Sequence, residues 1–312
     1  MESVNTENAQ QPWDSTGTLT GKVALVAGAT RGAGRGIACM LGEAGATVYC
    51  TGRSTRGNST TAGRPECIED TADLVSEYGG VGIARRVDHS QEDEVIALFE
   101  QIKKDHGRLD VLVNDIWGGD ALTEWGTPFW ELSLEKGFKM IDQAIKTHII
   151  TSRYGVPIMI EQKSGLVIEI TDGNHQTNRV YRSNLFYDFV KASLIRMAFG
   201  MAKELDEYGI TALALSPGFL RSEAMLDHFG VTADNWQEAT KKDPHFIASE
   251  TPFFVGRAVA ALAADAAVHS KTGQALASWE LGREYGFLDQ DGSRPDWEAY
   301  ISEYYPEMFA SS

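Results

Sequence analysis

Tyr187 and Lys191 stand four residues apart in a stretch whose apolar spacing predicts a helix over 185–207, so their side chains share one face. A free phenol holds its proton to a pH of about 10. An ammonium beside it stabilises the phenolate and eases proton transfer near neutrality, as a general acid for a nascent alkoxide requires. The same spacing is common on plain helix surfaces, so the pair gains weight only from a second site. That second site is the run Gly28-Ala29-Thr30-Arg31-Gly32-Ala33-Gly34-Arg35-Gly36. Its glycines permit a tight turn and close approach of a pyrophosphate. The helix expected after it offers free N–H groups and the positive end of its dipole.

These groups need a frame that holds a loop and a distant helix side by side. The apolar run 22–27 ends at Gly28, as a buried parallel strand reads. Further strands are expected at 47–51, 81–87, 109–114, 166–171, 211–215 and 274–278. Helical spacing falls between them, at 34–43, 66–78, 92–106, 134–161, 185–207 and 251–266. Such alternation predicts an α/β fold, a doubly wound parallel sheet of Rossmann type, in one domain spanning 19–312. The polar residues 1–18 read as a mobile tail. The glycine run therefore sits at the first strand–helix junction, the context a dinucleotide site requires.

Composition narrows the function classes. Lys and Arg number 28 against 44 Asp and Glu, a net charge of −16 that repels nucleic acid and anionic lipid. No apolar run approaches the ~20 residues of a membrane helix. Cys39, Cys50 and Cys67 lack metal-binding spacing, so buried free thiols, no metal and a cytoplasmic location are expected.

The glycine run resembles the T-G-x-x-x-G-x-G motif of the short-chain dehydrogenase/reductase family, with Ala27 in place of its first Thr. The similarity runs over roughly residues 20–290, and Tyr187 with Lys191 matches the family's Y-x-x-x-K signature. The resemblance implies that Gly28, Thr30, Arg31, Gly32 and Gly34 hold a nicotinamide dinucleotide. It assigns Asp88 to the adenine, Asn114 to the first position of an N-N-A-G motif, and Pro217, Gly218 and Ser222 to the nicotinamide end. Lys191 would also hold the nicotinamide ribose. An acid at the end of the second strand would favour NAD; Thr51 stands there, with Arg53 beyond it. Arg31 and Arg53 could share a 2′-phosphate through charge-assisted hydrogen bonds, with Arg56 or Arg64 in support, so NADP(H) is the expected cofactor. Each of these arginines could equally be a solvated surface residue.

The chain departs from the family elsewhere. Where the family has Ser-Ser after the fifth strand, Thr171-Asp172 stands, and Ala144 takes the place of the Asn in its long central helix. Asp172 could replace the serine. Ionised, it would favour an iminium or ammonium-bearing substrate; protonated, it would donate to a carbonyl. The alternatives are that Asp172 caps a turn and Thr171 polarises the substrate. His175 could be a further acid or a solvated loop residue. Trp117, Trp125, Phe129 and Trp130 cluster after the fourth strand, with Tyr181, Phe186 and Phe219 expected nearby. Trp117, Trp125, Tyr181 and Phe219 are the expected substrate wall, although aromatics there could instead pack loops or an oligomer contact. Residues 222–250 fall where the family carries its substrate lid. The expected activity is reduction of a carbonyl or imine on a small aromatic or apolar molecule, or the reverse oxidation, by a homodimer or homotetramer. The alternative is a catalytically silent NADP-binding sensor or scaffold.

Overall fold

The apolar runs become strands and the stretches of helical spacing become helices covering both faces of one sheet. The strands are β1 (Val23–Ala27), β2 (Thr47–Gly52), β3 (Val81–Arg86), β4 (Val111–Asn114), β5 (Gly165–Ile170), β6 (Ile210–Ser216) and β7 (Ala275–Ala277). The computed structural model describes residues 13–61, 63–304 and 306. In it all seven pair in parallel, in the order β3-β2-β1-β4-β5-β6-β7. The chain winds outward from β1 to β3, then crosses back to β4. That reversal opens a crevice at the carboxyl ends of β1 and β4, where ligands of such sheets bind.

The helices are α1 (Gly32–Glu43), α2 (Ile68–Glu77), α3 (Glu92–His106), α4 (Leu134–Ile141), α5 (Thr147–Gln162), α6 (Leu185–Leu205), α7 (Glu223–Phe229), α8 (Pro252–Ala264), α9 (Ser278–Tyr285) and α10 (Trp297–Tyr304). One core cluster lies under α1 and α8 and another under α3 and α5. Leu25 and Val26 on β1 are wholly excluded from water, each contributing roughly 1.5–3 kcal/mol by burial. Burial on both sides explains why the central strands read as continuous apolar runs.

Two expectations are revised. The helix expected over 134–161 is α4 and α5 joined by a π-helical turn, Asp142–Lys146, which widens the ladder beside the crevice. The tail expected over 1–18 is folded from Trp13 onward: Trp13 packs edge-on against Phe287, and Ser15 is buried. Polar composition could not reveal that Trp13 has an apolar partner far along the chain; residues 1–12 lie outside the described residues. The segment 222–250 carries α7 and a small apolar cluster of its own, Phe229, Ala239 and Phe246. Its base is tied by Arg221 N–H donating to the Glu250 carbonyl (2.7 Å) and Glu250 N–H to that of Phe219 (2.8 Å). Cys39, Cys50 and Cys67 are buried free thiols. Among the described residues no helix is long and apolar enough to cross a membrane, and no acidic, His and Cys cluster is disposed to hold a metal ion.

Candidate active site

A cleft of about 880 Å3 opens along the carboxyl ends of the strands, from Arg31 and Arg53 to Asp172 and Tyr187. Gly28, Thr30, Arg31 and Gly32 form its floor, where β1 turns into α1. Gly28 has φ 97°, and a Cβ there would lie 2.4 Å from the Asp115 carbonyl oxygen. A Cβ on Gly34 would lie 2.3 Å from the Gly28 carbonyl oxygen, so Gly34 sits behind the wall and lets the loop close on itself. Asp115, unassigned from sequence, packs beneath this loop. Burial pushes its carboxyl up to about 7, against the pull of Lys191. At the start of α1 the Gly32 amide donates to Glu223 Oε2 (2.8 Å), and Arg35 Nη1 lies 3.5 Å from Glu223 Oε1. A carboxylate from α7 thus occupies the anion-accepting end of α1.

Arg31 and Arg53 line the far end together with Ser54, Thr60 and Thr61. Arg31 Nη2 donates to Thr61 Oγ1 (3.4 Å), and Arg53 is exposed. Arg56 and Arg64 are not part of this wall. Arg56 pairs with Asp70 (2.6 Å) and Asp73 (2.8 Å), and Arg64 with Asp227 (2.7 Å), because carboxylates from α2 and α7 lie closer. Thr51 turns into the core, its hydroxyl 2.9 Å from His89 Nε2. Asp88 lines the cleft; burial works against its charge, but hydrogen bonds from Ser90 hold its carboxyl below the ordinary range.

Asn114 does not reach the cleft. Its amide donates to Glu169 Oε1 (2.7 Å) and Ser152 Oγ (2.9 Å), and Glu169 Oε2 lies 2.6 Å from His148 Nδ1. His148 Nε2 meets the Ile116 carbonyl at 3.0 Å, so this buried network fixes the connection that follows β4. Neither His148 nor Glu169 was singled out by sequence; the available signal was a glutamate inside the apolar run of β5.

At the reactive end, Asn184 caps α6 by accepting from the Tyr187 amide (3.0 Å). Tyr187 is held between two indoles, with ring centroids 5.5 Å from Trp117 and 5.2 Å from Trp125. Its hydroxyl donates to Asp172 Oδ2 (3.0 Å). Burial, followed by the Asp172 charge, raises the phenol well above its ordinary pKa. Lys191 Nζ lies over the Trp117 ring, 4.2 Å from its centroid; burial lowers this ammonium's pKa while Asp172 opposes. Thr171 also borders the cleft, but its hydroxyl is engaged elsewhere. Its hydroxyl donates to the Lys191 carbonyl (2.7 Å), tying β5 to α6, so its proton is not directed at a substrate.

Arg182, also missed, closes the site from the connection before α6, where no periodicity marks it. Its side chain is 9% exposed, with Nε 3.8 Å from Asp172 Oδ2. Nη2 donates to the Asp172 carbonyl (2.5 Å) and Nη1 to Asp188 Oδ1 (2.8 Å).

Pro217, Gly218 and Ser222 line the cleft, and Ser222 Oγ caps α7. Beneath them Glu250 Oε2 accepts from the Gly218 amide (2.9 Å) and the Ser278 hydroxyl (2.6 Å). Burial pushes this carboxyl up to about 8. Trp117, Tyr181 and Phe219 reach the cleft wall, whereas Trp125 packs behind Tyr187 and is 59% exposed. Phe129 and Trp130 are exposed and pack on each other outside the cleft. Phe186 also lies off the wall, packed on Phe138. His175 is solvated, 3.8 Å from Glu280 Oε1, and does not line the cleft. The π turn contributes Asp142 and Gln143 to the wall, while Ala144 is fully buried.

Residues 22–229 match the family model described as short chain dehydrogenase. The chain is 34% identical over 280 residues to dehydrogenase/reductase SDR family member 1 of Mus musculus, covering 88% of this chain and 85% of that one. A short-chain dehydrogenase from Mycobacterium thermoresistibile superposes with a TM-score of 0.73 at 21% identity, covering 90% of this chain and 92% of that one. A metagenomic short-chain oxidoreductase solved in complex with NADP superposes with a TM-score of 0.60 at 24% identity, covering 80% and 93%.

Proposed function

The chain belongs to the short-chain dehydrogenase/reductase family, and we propose that it is an NADP(H)-dependent member reducing a carbonyl or imine of a small aromatic or apolar molecule, or catalysing the reverse oxidation. The observation that carries this reading is one continuous cleft with Arg31 and Arg53 at one end and Tyr187, Lys191 and Asp172 at the other.

The residues present fit a nicotinamide dinucleotide. Two guanidiniums stand where a 2′-phosphate needs charge-assisted bonds, and no carboxylate ends β2 to repel it. The start of α1 already carries an anion in the form of the Glu223 carboxylate. Lys191 would hold the nicotinamide ribose, and the Pro217-Gly218 segment, which lines the same cleft, would bound the ring. When bound, the nicotinamide supplies or accepts the hydride. Tyr187 gives or takes the proton at the substrate heteroatom, and the Lys191 charge favours the phenolate when the proton leaves. Trp117, Tyr181 and Phe219 offer flat apolar surface to the substrate. Asp172 stands where the family's serine would face it, and its charge state sets whether a neutral carbonyl or a cationic iminium is preferred.

The same reading places the protein in the cytoplasm, which suits three free thiols, and treats it as a homodimer or homotetramer. Exposed Phe138, Ile149 and Phe189 on α4, α5 and α6 supply apolar surface for such a contact, which light scattering checks.

Fluorescence titration with NADPH and NADH tests the cofactor assignment. NADPH is expected to bind more tightly, and Arg53→Ala to weaken it about tenfold, the scale of one charge-assisted hydrogen bond. Tighter NADH binding would remove the role given to the two arginines.

A further inference from the structure

The family's relay positions are altered here, yet a proton moved by Tyr187 still needs a route to water. The Tyr187 ring lines the cleft, flanked by Trp117 and Trp125. Its hydroxyl has one polar partner, Asp172 Oδ2 at 3.0 Å, and the Asp172 side chain is 48% exposed. A carboxylate that touches both the phenol and solvent is a bridge between them. Arg182 holds that bridge in place: it grips the Asp172 main-chain carbonyl at 2.5 Å, anchors on Asp188 at 2.8 Å and sets Nε 3.8 Å from Asp172 Oδ2.

We propose that Asp172 is the proton carrier between Tyr187 and bulk water, with Arg182 as its positioning residue. The inference rests on the oxidoreductase reading above and adds the proton path. In reduction a bound reduced nicotinamide would supply the hydride to the substrate carbon, and Tyr187 gives its proton to the substrate oxygen. The Asp172 carboxylate takes a proton from water and passes it to the phenolate oxygen, which restores both groups. Carbonyl, reduced nicotinamide and one proton become alcohol and oxidised nicotinamide. Oxidation runs the same transfers backward.

The groups facing Asp172 are Tyr187 and Lys191 from α6 and Arg182 from the preceding connection, while Asp120 from the connection after β4 acts on Tyr187 and Lys191. The carboxylate in turn holds the phenol protonated, which is the sense of the raised Tyr187 pKa.

Two measurements decide the matter. The first needs no substrate: protein carrying 13Cζ-tyrosine is titrated by NMR, with Tyr187→Phe assigning the resonance. Asp172→Asn is expected to lower the Tyr187 titration by about one pH unit or more, because an adjacent negative charge is removed. The second follows NADPH oxidation with phenanthrenequinone as an aromatic dicarbonyl probe. Asp172→Asn and Asp172→Ser are expected to lower kcat roughly 10–100-fold and to flatten its pH dependence between pH 5 and 8, with NADPH affinity unchanged. Arg182→Met is expected to lower kcat and Arg182→Lys to restore part of it. An unmoved Tyr187 titration in both Asp172 variants overturns the proposal, as does an unchanged kcat–pH profile. Failure of the wild-type protein to bind NADPH would instead remove the oxidoreductase reading, while the NMR titration still decides whether Asp172 and Tyr187 are coupled.

Discussion

At one end of the cleft the lining comes from the loop between Gly28 and Gly32 and from two arginines, Arg31 and Arg53. At the reactive end Trp117 on the connection after β4, and Asp172 and Arg182 on the connection between β5 and α6, meet Tyr187 and Lys191 on α6. A site made of backbone amides depends on glycines that no other residue can replace: a Cβ on Gly34 would strike the Gly28 carbonyl. A site made of converging side chains can exchange one chemistry for another without disturbing its neighbours. Here the family's serine has become Asp172 and its helix asparagine Ala144, while the loop at the other end keeps its form.

If the two ends are this separate, damage to one should spare the other. Tyr187→Phe is expected to lower NADPH-dependent turnover of an aromatic dicarbonyl by about 10²–10⁴-fold, the usual worth of a general acid. NADPH affinity, read by fluorescence titration, should not change; a parallel loss of binding would break the comparison. The converse change is Glu223→Gln. Its carboxylate sits on the Gly32 amide where a pyrophosphate needs the helix terminus, so neutralising it is expected to tighten NADPH binding several-fold, corresponding to roughly 1 kcal/mol. Unaltered affinity would mean that carboxylate and pyrophosphate do not compete.

The last expectation concerns Glu250, which holds the Gly218 amide beneath the segment joining the two ends. Its carboxyl, raised by burial to about 8, keeps a proton in the folded protein that the unfolded chain releases near pH 4.5. Stability from this group is therefore present at low pH and lost as pH rises toward 8. The melting temperature should fall between pH 5 and pH 8, and fall less in Glu250→Gln. Equal slopes would show that Glu250 is not the group responsible.

What could be read in advance differs between the two ends for the same reason. The glycine run was legible from its place at the first strand–helix junction, and Arg31 and Arg53, which the family resemblance pointed to, do line the same cleft. Tyr187 and Lys191 were legible because helical periodicity sets both on one face. Asn114, assigned to the cofactor by resemblance, is buried against Glu169 and Ser152, because the last residue of β4 faces the core. Thr171 and Asp172 are neighbours, and no composition rule says which one meets Tyr187.

The order of elements, the single parallel sheet, the glycine turn and the Tyr–Lys pair were determined by the sequence, because each follows from local periodicity or from the conformational freedom of glycine. The contact of Arg182 with Asp172, the bond from Tyr187 to Asp172, the Glu223 carboxylate on Gly32 and the docking of Trp13 on Phe287 were decided only by the tertiary structure. None of these contacts follows from local periodicity, because a side chain's partner depends on which way the chain turns at the end of a strand, something set by packing across the whole sheet rather than by its neighbours in sequence.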